Sequence, residues 1–334
     1  MLINHYFAAQ PVFGAKLFRR RYRMRQNVFL KLYNAVVEKN DYFHQKYDAL
    51  GVPGPSGLIK ATCALRLLSY GCPADSLDES INIGEQTALN SLKHFSQTVV
   101  DIFENEYLRT PTPADVERLL AKGAQRGFPG MLGSIDCMHW IWKNCPTAEH
   151  GQHMGHHKKA TVILEAVADH ELWIWHAFFG TAGSCNDLNV LENSHVFDDM
   201  VNGRSPPCNY QVNGNHYNMG YYLSDGIYPQ WATLIQTERF PGTRKKKVFA
   251  KAQEAVRKDV ERAFGVLQAR FAMVARPART WNKAQLGIFM KACLIMHNMI
   301  IEDERDIVLP KWKPPRDEPP LPVIVELQSN DVDE

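Results

Sequence analysis

The stretch "GMLGSIDCMHWIWK", residues 130–143, reads as a β-strand. Ile135, Met138, Trp140, Ile141 and Trp142 supply bulk that belongs in a core. In its middle stands Asp136, a residue type depleted from strands and costly to bury unpaired. Three readings are open. The carboxylate caps local backbone, it pairs with a buried Arg, or it binds a cation together with carboxylates from elsewhere in the chain.

The segments that follow carry the same character. "TVILEAVA" (161–168) is a nearly continuous apolar run, suited to a strand covered on both faces. "LWIWHAFFG" (172–180) comes three residues later, so the two should form a hairpin. "YYLSDGIYP" (221–229) is a short run that stops in the turn dipeptide Asp225-Gly226. Val248 to Met273 reads as one long helix, with Phe249, Ala252, Val256, Val260, Phe264, Leu267 and Phe271 as its apolar stripe. "KAQLGIFMKACLIMHNMIIEDE" (283–304) is apolar on several faces and should be buried on more than one. Strand, hairpin, strand and long helix, with helices on both sides, predict an α/β (α+β) core. No G-x-G-x-x-G follows a strand and there is no P-loop.

Upstream the chain is helical. Residues 1–50 carry aromatic anchors and a basic knot, "FRRRYRMR"; "GVPGPSG" (51–57) then breaks the pattern. A helix over Leu58–Ser69, a short one after "GCPADSLDES" and a longer one over 84–103 give the outline of a helix-turn-helix. A plain helical packing unit has the same outline. "RTPTPADVERLLA" (109–121) is a linker leading into a helix that starts near Asp115. Beyond Val308 the tail holds six Pro, ends acidic and is expected to be mobile.

Composition narrows the classes. The apolar fraction is 45 % and the charged fraction 22 %, as in globular proteins, and the net charge of +2 implies no polyanion partner by itself. Seven Cys without a C-x-x-C pair argue against a disulfide framework and a Cys-rich zinc module. Reduced thiols in an intracellular protein are expected. No apolar run reads as a membrane helix, and no basic n-region precedes an apolar stretch at the N-terminus. The histidines at 150, 153, 156 and 157 match no standard zinc spacing.

Three acids stand out by position: Asp136 in the first strand, Asp225 where a later strand ends, and Glu261 in mid-helix beside the buried stripe. Each has an ordinary explanation. Asp136 could be a paired buried charge, Asp225 a turn residue, and Glu261 an i, i−4 partner of Arg257. Their spacing adds something the single readings lack, since 35 residues separate Asp225 from Glu261. The stretches "GFPGMLGSIDCMHWIWKNCP", "TVILEAVADHELWIWHAFFG", "CNDLNVL", "YYLSDGIYP", "RKDVERAFGVLQARF" and "MHNMIIEDE" strongly resemble the PIF/Harbinger superfamily of DDE transposases, including plant transposon proteins and Harbinger-derived nucleases. The similarity runs from about Phe18 to Glu304, with the motifs in family order.

That resemblance implies an RNase H-like catalytic core, a mixed sheet flanked by helices, over 128–304. It would be preceded by an N-terminal helical segment (1–50), a helix-turn-helix-like DNA-binding region (51–108) and a linker helix (109–127), and followed by the tail (305–334). It implies a catalytic and metal-binding triad of Asp136, Asp225 and Glu261, with Asp187 of "CNDLNVL" as a supporting acid; a helix N-cap is the ordinary alternative for Asp187. Two Mg²⁺ or Mn²⁺ ions, roughly 3.5–4 Å apart, would serve the in-line displacement at phosphorus, with Asp136 bridging them. The implied function is cutting phosphodiester bonds at transposon ends and joining 3′-hydroxyls to target DNA; a domesticated DNA- or chromatin-binding descendant is the alternative. Expected partners are DNA, a separately encoded Myb/SANT-like protein and a second copy of the chain, and the expected compartment is the nucleus.

Phosphate contacts are expected from Lys158 and Lys159, from Arg244, Lys245, Lys246 and Lys247, and from Arg257, Lys258 and Arg262 on the catalytic helix, although charge runs are also common on solvated faces. If the 84–103 helix enters a groove, Gln86, Asn90, Lys93 and Gln97 should point outward.

Overall fold

The computed structural model describes residues 2–155 and 158–305. His156 and His157 lie outside the described residues, and so does the Pro-rich tail from residue 306 onward. The N-terminal part is helical: α1 (Leu2–Tyr6), α2 (Ala15–Tyr22), α3 (Gln26–Lys39), α4 (Gly57–Tyr70), α5 (Asp78–Ile81), α6 (Glu85–Tyr107) and α7 (Pro113–Gln125). Then follow β1 (Met131–Ile141), α8 (Thr147–His153), β2 (Thr161–Ala168), β3 (Ile174–Ala182), α9 (Asp187–Asn193), α10 (Asp198–Val201), β4 (Tyr210–Val212), β5 (Asn215–Tyr217), β6 (Tyr221–Ser224) and β7 (Leu234–Gln236). The chain closes with α11 (Arg244–Arg257), α12 (Asp259–Arg270), α13 (Ala272–Ala275) and α14 (Lys283–Glu304).

The main sheet has the order β3-β2-β1-β6-β7. β2 is antiparallel to both β1 and β3, whereas β1, β6 and β7 run parallel. This is the RNase H-like topology, a mixed sheet flanked by helices. β2 is buried throughout, as its unbroken apolar run requires. Alternation divides β1 between two faces. Ile135 joins Val167, Leu191, Tyr228 and Leu234 on one side. On the other, Ser134 accepts from Val260 N and Met138 Sδ from Gln268, which seats α12.

The N-terminal helices share one continuous hydrophobic core with α12, α14 and part of the sheet. α6 packs against both α4 and α14. α14 is long and apolar enough to cross a membrane, but 67 % of its apolar window is buried inside the protein. Its buried run from Ala292 to Ile300 goes right round the helix, so it is a core helix. The basic knot is partly anchored to the end of α14, through Arg19–Glu304 and Arg25–Asp303 pairs.

The structure corrects the reading of residues 248–273 as a single helix. α11 ends at Arg257 and α12 begins at Asp259. At the junction Val260 N bonds to Ser134 on the sheet, and the buried Asp259 carboxylate pairs with Arg126. Glu261 is therefore in the first turn of α12, not in mid-helix.

Candidate active site

Asp136 occupies the centre of β1, with its side chain 18 % exposed. Its Oδ1 accepts from Cys137 N at 2.8 Å. Arg257 Nη1 lies 3.4 Å from its Oδ2 and 2.9 Å from Glu261 Oε1, so a single guanidinium links the strand acid to the helix acid. Burial pushes the Asp136 carboxyl up to about 6; Asp187 and Glu261 push the same way, and Arg257 only partly opposes them.

The parallel pairing of β1 with β6 places Asp225. Ser134 is opposite Leu223, so two positions further along each strand bring Asp225 alongside Asp136. Its Oδ1 accepts from Ile227 N at 2.9 Å, the side-chain turn that Asp-Gly favours. The residue just before it is held by Gln253 of α11. This buried side chain donates to Ser224 O and Ile235 O, at 3.0 and 3.1 Å, and accepts from Thr237. Gln253→Ala would leave two carbonyls without their donor. A loss of about 1–3 kcal/mol is expected, read as a lower midpoint at unchanged slope in urea unfolding.

Asp187 is the first residue of α9 and not its cap. Asn186 is the N-cap, in a reciprocal box with Asn189. The Asp187 carboxyl is thus not spent on the helix start. Burial raises its pKa, Asp225 and Glu165 add to the rise, and a hydrogen bond with Cys137 opposes it. Electrostatic coupling thus links Glu261 to Asp136, Asp136 to Asp187 and Asp187 to Asp225. Among the described residues, no three His, Cys, Asp or Glu side chains are arranged as a ready-made metal cluster. The donor chemistry fits a hard divalent ion, since every candidate ligand is a carboxylate.

The basic candidates scatter around this centre. Arg257 touches two of the acids, Asp136 and Glu261. Lys258 pairs with Glu254 and Arg262 with Asp259. Arg244, Lys245, Lys246 and Lys247 form the first turn of α11, about 20 Å from its far end by helix rise. Lys158 and Lys159 are exposed and precede β2, whose first residue, Thr161, already lies roughly 16 Å along the strand from the level of Asp136. On α6, Gln86, Lys93 and Gln97 are exposed and Asn90 is half-buried; Gln86 bonds to Asn90, and Gln97 to Asp101. His153 is a core residue, bonded to Thr161 O and edge-on to Trp142.

Sequence reasoning missed a polar cluster on the Cys137 face of the sheet, bordering Asp187. Glu165 of β2 is fully buried; it accepts from Ser194 and lies 3.4 Å from His176, and among the described residues its Oε2 has no hydrogen-bond partner. The signal was available. Glu165 is the one charge in "TVILEAVA", the kind of anomaly that singled out Asp136.

A family model described as plant transposon protein matches residues 105–308, and one for a domain of unknown function matches residues 1–37. Among curated proteins, Antagonist of Like Heterochromatin Protein 1 of Arabidopsis thaliana is 23 % identical over 262 residues, covering 74 % of this chain and 66 % of its own. An ALP1-like protein of the same plant is 22 % identical, over 73 % of this chain and 61 % of its own. The chain thus spans somewhat under two thirds of the length of these two relatives. HARBI1 of Homo sapiens, a candidate nuclease by its name, is 20 % identical over 81 % of this chain and 74 % of its own. No solved structure is significantly similar to the chain.

Proposed function

Because the chain belongs to the plant transposon protein family, of Harbinger-transposase descent, we propose that it is a divalent-metal-dependent DNA endonuclease of DDE type, cutting at transposon ends and joining 3′-hydroxyls to target DNA. The observation that carries this reading is that three acids from distant parts of the chain lie in one neighbourhood of the fold. Parallel register sets Asp225 beside Asp136, and Arg257 ties Glu261 to the same carboxylate. An ordinary buried ion pair needs one acid, and here two further acids flank it.

Asp136, Asp225 and Glu261 would hold the ions, with Asp187 in support. Divalent ions at such a site supply charge stabilisation for the in-line displacement at phosphorus. The protein's part is to hold the oxygens on rigid elements, a central strand, the end of its neighbour and the first turn of a helix. Arg257 keeps Asp136 and Glu261 aligned and contributes positive charge beside the phosphate path. DNA as substrate places the protein in the nucleus. Strand approach would involve the basic start of α11, aided by a second copy or a Myb/SANT-like partner.

The test is nicking of supercoiled DNA carrying cognate terminal repeats, with Mg²⁺ or Mn²⁺ and with EDTA. Divalent-dependent nicking that Glu261→Gln reduces by orders of magnitude is the expected result. A second reading has one observation behind it, the absence of a ready-made three-ligand cluster among the described residues. On that reading the chain is a domesticated, silent DNA- or chromatin-binding protein. It predicts DNA retention that is lost steeply with salt, no cleavage, and no effect of Glu261→Gln.

A further inference from the structure

Away from the acids, the far end of β1, the 276–282 loop and helices α4, α6 and α14 enclose a groove of about 1020 Å³. Leu89, Phe289 and Trp281 are among its apolar lining, and Trp281 is 68 % exposed. Lys93, Lys143, Arg276 and Arg279, all exposed, stand around it against a single acid, Glu85. Among the described residues none of these four cations sits in an ion pair; Arg276 donates to Gly71 O.

The loop that carries Trp281 is pinned. Ala278 N bonds to Ile141 O and Lys143 N to Ala278 O, at 2.8 and 2.9 Å. Trp140 and Trp142 donate their indole N–H to Arg276 O and Thr280 O. A large aromatic held in the open on a fixed loop, beside an apolar floor, loses little freedom on binding and has the form of an interface anchor. Duplex DNA suits such a floor poorly, because protein–DNA interfaces are predominantly polar. A protein segment with apolar anchors suits it, and the excess of cations selects acidic flanks.

We propose that this groove docks an acidic amphipathic segment of a partner protein. Its apolar side chains would seat between Leu89, Phe289 and Trp281, with its carboxylates against Lys93, Lys143, Arg276 and Arg279. The proposal does not rest on the nuclease reading, since none of these residues belongs to the carboxylate site.

The test is selection of a random peptide display library on the full chain, with Trp281→Ala and the double variant Lys93→Glu/Arg279→Glu as counter-targets. Enriched peptides should be acidic, with large apolar residues at helical spacing. A synthetic copy should change the tryptophan fluorescence of the full chain, and that response should disappear in Trp281→Ala. Affinity should drop by at least about tenfold in the charge-reversed variant and fall with added salt. Unchanged melting temperatures would show that both variants fold, as expected for exposed positions. Neutral or basic winners, or enrichment that survives both variants, would overturn the proposal. So would binding that emerges only once residues 306–334 are removed, which would make the chain's own C-terminal stretch the occupant. An oligonucleotide that itself quenches Trp281 would reassign the groove to nucleic acid and overturn it as well.

Discussion

Asp136→Asn is expected to raise the melting temperature of the metal-free protein near neutral pH and to abolish divalent-dependent cleavage. The folded-state pKa of Asp136 is about 6, against an ordinary value of 3.8, because burial outweighs the attraction of Arg257. A carboxyl raised in this way contributes stability below its unfolded pKa and loses it as pH climbs through the folded one. The window is therefore about pH 4 to 6. At pH 7 the ionised group costs the folded state on the order of 2–3 kcal/mol, which asparagine would remove. Asparagine can still accept from Cys137 N, and Arg257 keeps Glu261 at 2.9 Å, so no charge is orphaned. Melts at pH 7 should separate variant from wild type by several degrees, and melts below pH 4 should not. Mg²⁺ or Mn²⁺ should stabilise the wild type and leave the variant unchanged. If Asp136 simply holds the fold through Arg257, the opposite follows: the variant melts lower, by about 3–5 kcal/mol of lost stability, and divalent ions do nothing to the wild type.

The parts of the fold that could be read directly are those whose pattern is local. The run 161–168 is β2 to the residue, 283–304 is α14 to the residue, and the short gap after Ala168 does close a hairpin. The break between α11 and α12 was invisible for a physical reason. Lys258 keeps φ −66° and ψ 1°, close enough to helical that Val256, Val260 and Phe264 stay four apart on one stripe. Only the capture of Val260 N by Ser134, 126 residues away, reveals the step. The β4–β5 hairpin is a different kind of miss. Its turn is Asn213-Gly214 with both φ positive, the strongest short hairpin signal, and it stood in "QVNGNHY". β7 spans three residues, too few for any periodicity to register.

The site divides in the same way. Asp136 was conspicuous as a charge in a strand, and Asp225 and Glu261 became conspicuous through their spacing. What makes them neighbours is non-local: the parallel register of β1 with β6, and Arg257 reaching Asp136 across 121 positions. Arg257 read from sequence as a helix-surface partner of Glu261 and as a phosphate contact. Its second bond, to Asp136, gives it a structural part in the centre.

The largest stability effect is expected next to the site, at Asp259. Its carboxylate is fully buried at the start of α12, 2.5 Å from Arg126 and paired also with Arg262. Asp259→Ala would strip the Arg126 guanidinium, itself only 22 % exposed, of its directly bonded counter-charge, leaving only the electrostatic pull of Asp169, and would remove an acid from a helix N-terminus. A loss of about 3–5 kcal/mol is expected, read as a reduced urea midpoint. Arg126→Ala should cost less, because Asp259 keeps Arg262. Glu261 lies two residues further along the same first turn, so Asp259→Ala should lower stability and cleavage together, whereas Asp136→Asn should move them in opposite directions. Asp259→Ala melting like the wild type would show that the pair does not hold α12 on the sheet, and the placement of Glu261 would then need another cause.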